Sequence, residues 1–327
     1  MATDVPIEEG NAPFKISTID KPCSTYYRIF GDLTCGSRPL ICVHGGPGAG
    51  HASYLPFADL WHLYGIPVIL YDQIGCGAST HLPETAGNHA LWQVSLFVDE
   101  LSNLIDHLRL RQGYDVIGRS FGGYIVTDFA IRHPRGLNRL IIANGSASKA
   151  LSYESFHILR KKMPANHQEA ILNAGRTGDF ESAAYKDAFA YFTSTFLCRT
   201  SNAAPPELTA ALNNMADDKT VYSTIYGRSG ISPWFEGGSM VGWSRVSRLH
   251  QINVPTLIYN SEFDTSALDV AQVPFFERIP RVRWVTIANA GHSAHMESPE
   301  LKEKVLRLVG EFLRPRSYAD GSDDNDK

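Results

Sequence analysis

Ser120 lies in the run Gly118-Arg119-Ser120-Phe121-Gly122-Gly123, directly after the apolar stretch 114–117 and directly before the helical stretch 124–132. A serine held between glycines at a strand-to-helix turn has the form of a nucleophile elbow, G-x-S-x-G. The glycines allow a sharp turn and close neighbours, so the hydroxyl projects above the sheet. The helix that follows brings free N–H groups and the positive end of its dipole beside that hydroxyl. The chemistry this favours is acyl transfer.

A serine hydroxyl is a weak nucleophile at neutral pH. It needs a base, and the base needs an orienting acid. With this kind of elbow the chain order is serine, acid, histidine. After the apolar run 256–259 comes Asn260-Ser261-Glu262-Phe263-Asp264, and after 284–287 comes Ala290-Gly291-His292-Ser293. Asp264 and His292 therefore stand where the acid and the base belong, with Glu262 and Asp269 as rivals for the first and His295 for the second. An oxyanion also needs donors. The N–H of Phe121 is one. The loop Gly45-Gly46, after the strand at Leu40–Val43, supplies another. His44 is read as a brace for that loop. Arg119, beside the nucleophile, reads either as half of a structural ion pair or as a partner for a substrate carboxylate.

The elements that position these residues follow from apolar patterning. Short strands are predicted at Leu40–Val43, Val68–Tyr71, 114–117, 140–143, 256–259 and 284–287, with an early hairpin pairing 26–30 with 14–16. Leu96, Leu101, Leu104, Ile105 and Leu108 recur at helical spacing before the elbow strand, and an amphipathic helix is predicted at Pro299–Leu313. Alternating strands and helices imply an α/β fold, a mostly parallel sheet flanked by helices, with function at the carboxyl ends of its strands. From 146 to 245 the alternation stops. That stretch is helical in tendency and rich in aromatic residues. The predicted organisation is a core of 1–145 and 246–315, a helical cap at 146–245, and a disordered acidic tail at 316–327.

Composition narrows the function classes. The chain has 327 residues, is 43% hydrophobic and carries a net charge of −4; the last ten residues hold four aspartates against one lysine, so the body is near neutral. No basic stripe favours nucleic acid, and no polybasic segment or long apolar run favours a membrane. The polar N-terminus has no signal-peptide pattern, and five scattered cysteines form neither a disulfide framework nor a zinc motif, which fits a reducing, cytoplasmic setting. Gly45-Gly46-Pro47-Gly48 lacks the Lys-Ser/Thr of a phosphate loop, and no His-Glu-x-x-His suggests a metal. Nothing in the sequence sets an oligomeric state.

His44-Gly45-Gly46-Pro47-Gly48, the run from Tyr71 to Ser79 (Tyr-Asp-Gln-Ile-Gly-Cys-Gly-Ala-Ser), the elbow, Glu262-Phe263-Asp264 and Gly291-His292 together resemble the proline iminopeptidase family of α/β-hydrolases, in the branch that also holds L-amino acid amidases. The resemblance covers about 25–145 and 250–313. It implies a triad of Ser120, Asp264 and His292, an oxyanion hole from Gly46 and Phe121, no cofactor, and a small-molecule or short-peptide substrate. The implied activity is cleavage of a small amide or N-terminal peptide bond through an acyl-enzyme. The alternative is an esterase, lactonase or specialised-metabolite hydrolase with the same triad and a different cap. Aminopeptidases of this family hold the substrate's α-amino group with cap carboxylates, one typically in a Gly-Pro-x-Glu-Phe segment. Here the corresponding stretch reads Tyr226-Gly227-Arg228-Ser229-Gly230-Ile231, with Gly230 at the glutamate position and Glu236, Glu154 or Glu181 as substitutes. Gly45, Arg119, Tyr226, Trp234 and Glu236 are the expected substrate contacts. The cap aromatics, Tyr191 among them, read as either pocket lining or the cap's own core.

Overall fold

The computed structural model describes residues 5–200, 203–227 and 233–314. Gly230 and the tail 316–327 lie outside these. Eight strands form one sheet: β1 (Ile7–Phe14), β2 (Cys23–Phe30), β3 (Leu40–Val43), β4 (Val68–Tyr71), β5 (Tyr114–Arg119), β6 (Leu137–Ala143), β7 (Thr256–Phe263) and β8 (Val282–Gly291). Their spatial order is β1-β2-β4-β3-β5-β6-β7-β8. β1 and β2 run antiparallel to their neighbours, and all pairs from β4 to β8 are parallel.

The parallel strands read as continuous apolar runs because both faces are covered. Alternation with period two splits each strand between two cores. Ile41 and Val43 of β3 pack on one face, with Ile69 and Tyr71 of β4. Leu40, Cys42, Val68 and Leu70 pack on the other. The helices are α1 (Leu60–Tyr64), α2 (Val94–His107), α3 (Phe121–Ile131), α4 (Lys149–Arg160), α5 (Ala165–Thr177), α6 (Ala183–Phe192), α7 (Pro206–Asp217), α8 (Thr220–Tyr226), α9 (Asp269–Arg278), α10 (Ala294–Glu297) and α11 (Pro299–Leu313). α2, α3 and α9 contribute to the first core, and α11 to the second. α11 starts on Ser298, whose hydroxyl accepts from the Leu301 N–H, with Pro299 at the first helical position. Its buried Val305, Leu306, Val309 and Leu313 are each worth about 1.5–3 kcal/mol, which fixes a helix that would be marginal alone.

The early hairpin pairs differently from the sequence expectation. Residues 7–14 form the strand, and Phe14 pairs with Cys23 rather than extending to Ile16. The outer half of β1 is exposed, so backbone pairing holds it and no apolar run marks it. Between β6 and β7 lie α4–α8. Buried side chains of α4, α5 and α6, with Met163, Phe196 and Trp234, form a third apolar cluster, while Val221 and Ile225 of α8 pack with the first core. This insert is tied to the loops after β3 and β4: Asn214 Nδ2 donates to Ala49 O at 3.1 Å, and His81 Nδ1 meets Asp218 Oδ2 at 2.6 Å. No helix among the described residues is long and apolar enough to cross a membrane.

Candidate active site

Ser120 joins β5 to α3 with φ 56° and ψ −117°, a conformation few non-glycine residues adopt. The surroundings enforce it. The Ser120 N–H donates to Ala143 O at 3.0 Å, and Ser120 O accepts from the Gly123 N–H at 2.9 Å. A Cβ on Gly122 would lie 2.1 Å from Val43 O, so no side chain fits where α3 crosses the end of β3. Gly45 approaches from the other side: a Cβ there would sit 2.9 Å from the Ser120 Cβ and from Arg119 O. Gly45 thus packs under the serine. Gly46, one residue on, lines the cleft with Ser120, whereas Gly45, expected as a substrate contact, does not, because it is packed against Ser120 and Arg119. The N–H of Phe121 belongs to the first turn of α3, where donors have no intrahelical partner.

Asp264 follows β7 and His292 follows β8, and the structure brings the two together. His292 Nδ1 lies 2.7 Å from Asp264 Oδ1. The same oxygen accepts from the N–H groups of Ser266 and Ala267, both at 3.1 Å, and Oδ2 accepts from Asn144 Nδ2. Asp264 is fully buried, which alone would raise its pKa; the His292 charge and these hydrogen bonds outweigh burial and hold the carboxyl below its usual range. The His292 N–H donates to Phe196 O at 2.9 Å, so a residue of the insert fixes the loop. Ser120 and His292 line one cleft of about 220 Å³.

The rival residues have other partners. His295 Nε2 is bonded to Ser53 O at 2.9 Å, and burial, reinforced by nearby Arg119, pushes its pKa down to about 3. Glu262 accepts from the Asn289 N–H, and Asp269 from Asn260 Nδ2. Asn144 was missed from sequence. It directly follows β6, the strand between β5 and β7, at φ 49°, and only that adjacency connects it to Asp264.

His44 braces two loops: Nδ1–H donates to Gly45 O at 2.9 Å, and Nε2 accepts from the Gln73 N–H at 3.0 Å. Burial lowers its pKa to about 4, so it stays neutral. Among the described residues one group, His44, Asp72 and Cys76, brings donor atoms within 4.8 Å of one another. Those atoms already serve the loops. Asp72 accepts from the His51 N–H at 2.7 Å and the Ala78 N–H at 2.9 Å, and burial raises the Cys76 thiol well above its usual pKa. A neutral imidazole with its acceptor nitrogen engaged and a protonated thiol make a poor metal site.

The insert supplies the cleft wall. Tyr153, Phe156, Phe189, Phe192, Tyr226 and Phe235 line it. Tyr191 and Trp234 do not; Trp234 is buried in the insert's own cluster, its Nε1–H donating to Phe156 O at 3.1 Å. Trp234 is therefore core, contrary to the sequence expectation. Glu236, Glu154 and Glu181 are exposed, and none lines the cleft. Among the described lining residues there is no aspartate or glutamate, but there are two cations, Arg119 and Lys149. Arg119 is 6% exposed and donates to Ser293 Oγ at 3.4 Å, with Nε unpartnered. The ion pair expected for it is not formed with any described residue.

An eight-stranded sheet, a serine at the β5–α3 turn and an acid–histidine pair after β7 and β8 define an α/β-hydrolase. The family model for the α/β-hydrolase fold matches residues 38–299. The crystal structure of VinJ superposes with a TM-score of 0.84 at 32% identity, covering 93% of this chain and 99% of that one. The crystal structure of the proline iminopeptidase of Mycobacterium smegmatis gives 0.84 at 31%, covering 94% and 97%. The proline iminopeptidase of Clostridioides difficile is 31% identical over 94% of this chain and 98% of its own length. The chain belongs to the proline iminopeptidase family of α/β-hydrolases and is a serine hydrolase.

Proposed function

We propose that Ser120, His292 and Asp264 are the catalytic triad of an enzyme that cleaves a small amide or N-terminal peptide bond. The observation that carries this reading is one cleft shared by the strained Ser120 and a His292 already bonded to Asp264. Ser120 Oγ attacks the carbonyl carbon while His292 Nε2 takes its proton, and the Nδ1–H stays bonded to the ionised Asp264. The oxyanion accepts from the N–H groups of Phe121 and Gly46. Collapse breaks the C–N bond, the imidazolium protonates the leaving amine, and an acyl-serine remains. Water then attacks the acyl-serine with His292 as base, releasing the acid and restoring the hydroxyl.

Residues 146–245 serve as a cap over a core of 1–145 and 246–315, supplying the aromatic wall. The setting we propose is cytoplasmic; the five cysteines are free, four of them buried. A second reading is the same acyl-enzyme formed on an ester, a lactone or an amide without a free amine. It is favoured by the absence of any carboxylate among the described lining residues, since an ammonium in a dry cleft needs a partner. Labelling by a fluorophosphonate should vanish in Ser120→Ala, and persistent labelling sinks the nucleophile assignment. Prolyl and alanyl anilides compared with acyl-blocked anilides and short-chain p-nitrophenyl esters separate the two readings. Turnover confined to blocked amides and esters overturns the peptidase reading.

A further inference from the structure

Lys149 is the first residue of α4, where the chain leaves β6 for the insert. Its backbone is pinned: its N–H donates to Trp243 O at 3.0 Å, and Ser148 bridges to Ser244. The side chain is 5% exposed and lines the cleft that holds Ser120. Its Nζ stands 4.4 Å from the ring centre of Tyr153 and 4.1 Å from that of Tyr226. Among the described residues it has no hydrogen bond and no carboxylate within ion-pair distance. Glu236 is near enough to favour the charge, but it is exposed and outside that distance.

A buried ammonium costs several kcal/mol unless paired. Two aromatic faces return part of that cost and leave the ammonium without a hydrogen-bond acceptor among the described residues. Burial accordingly lowers the Lys149 pKa to about 7. A lysine kept only for packing would need no charge; methionine or leucine fills such a space without penalty. The second cation, Arg119, lines the same cleft with an unpartnered Nε, so no described lining residue offsets the positive charge.

We infer that Lys149 is a specificity residue whose ammonium pairs with a carboxylate on the substrate. The inference deepens the reading of Ser120 as nucleophile and rests on it for the meaning of the cleft. The carboxylate belongs either to the acyl portion or, in a short peptide, to the C-terminus of the leaving group; the binding chemistry is the same.

The test is calorimetric binding of two probes of matched shape, hexanoate and hexanamide, to the full chain at pH 6. Hexanoate should bind at least tenfold more tightly than hexanamide. Lys149→Met should abolish that ratio, and Lys149→Arg should retain most of it. Equal or absent binding of the two probes overturns the inference. So does a ratio that survives Lys149→Met, or one lost in Arg119→Met while Lys149→Met keeps it. Turnover carries the same comparison: prolyl-glycine against prolyl-glycinamide, and glutaryl against pentanoyl anilide. Fluorophosphonate labelling is independent. Its failure sinks Ser120 as nucleophile and leaves the binding result standing, whereas labelling without a hexanoate preference sinks Lys149 alone.

Discussion

The floor of the cleft and its wall treat charge in opposite ways. On the floor, the buried Asp264 carboxylate receives hydrogen bonds from two backbone N–H groups, from Asn144 and from His292. On the wall, the buried Lys149 ammonium meets two aromatic faces and no described carboxylate. A saturated charge is committed to holding one geometry, as a base beside a strained serine requires. An unsaturated charge in a lined cleft remains available to whatever enters. On the proposed reading the floor therefore carries the chemistry, and the wall carries the choice of what is bound.

The largest effects should come from the floor. Ser120→Ala and His292→Ala should each lower kcat by about a millionfold. Asp264→Asn should lower it by about ten-thousandfold, because the amide favours the wrong imidazole tautomer. Steady-state kinetics on an activated ester checks all three. A loss in Asp264→Asn of less than tenfold would mean that the saturated carboxylate is only a loop brace. Next is Gly122→Ala, whose Cβ would fall 2.1 Å from Val43 O. The elbow must shift, at about 1–3 kcal/mol of stability. Denaturant unfolding and labelling rate should both report the loss, and unchanged labelling would show that the serine's position tolerates movement of α3.

The floor was legible in the sequence because each of its parts ends a strand. Leu40–Val43 and Val68–Tyr71 stand at the residues their apolar patterns mark. Strand ends in a parallel sheet converge on one edge, so Ser120, Asp264 and His292 were legible as candidates from the elbow motif, the order of the residues and their places after strands. Asn144 was not, because its partner is 120 residues away and only the β5-β6-β7 adjacency brings them together. The wall was poorly legible. An aromatic residue in a helical insert packs on the insert or faces the cleft with the same sequence signature, and Trp234 and Tyr226 fall on opposite sides of that choice. Lys149 at the start of a helix reads as a solvated charge. Its burial depends on Tyr226, far along the chain.

Lys149→Met sharpens the comparison through stability. With the folded pKa near 7 and the unfolded one near 10.5, the wild type bears the full cost of the buried charge below pH 7. Between those values the unfolded state binds more protons, so wild-type stability gains with rising pH. Tyr124, Tyr153, Tyr222, Tyr226, Arg119 and His292 line the cleft with it, Glu236 lies nearby, and all remain in the variant. Lys149→Met should therefore be more stable than wild type at pH 6, on the order of a few kcal/mol. The gap should narrow by pH 9, measured by urea unfolding at both. A gap independent of pH would mean that the ammonium is not buried in the empty cleft.

The smallest effect near pH 5 belongs to a buried carboxyl that supports the floor from behind. Glu100 on α2 accepts through Oε1 from Thr25 Oγ1 at 2.6 Å and the Ile74 N–H at 2.8 Å, while Oε2 has no partner among the described residues. Burial raises its pKa to about 8, with the nearby Asp72 charge adding to the rise against the hydrogen bonds. It is thus a neutral carboxyl at pH 5, and Glu100→Gln replaces it with a group of the same shape and charge. The variant should match wild type within about 1 kcal/mol there. Above about pH 4.5 the unfolded glutamate loses its proton while the folded one keeps it, so wild-type stability falls as pH rises toward 8. Glutamine removes that fall. The two substitutions should therefore differ from wild type with opposite pH trends, Lys149→Met losing its advantage as pH rises and Glu100→Gln gaining one. Parallel trends would mean that one of the two groups is solvated, and the division between a floor of fixed charge states and a wall with a charge to spare would fail at that residue.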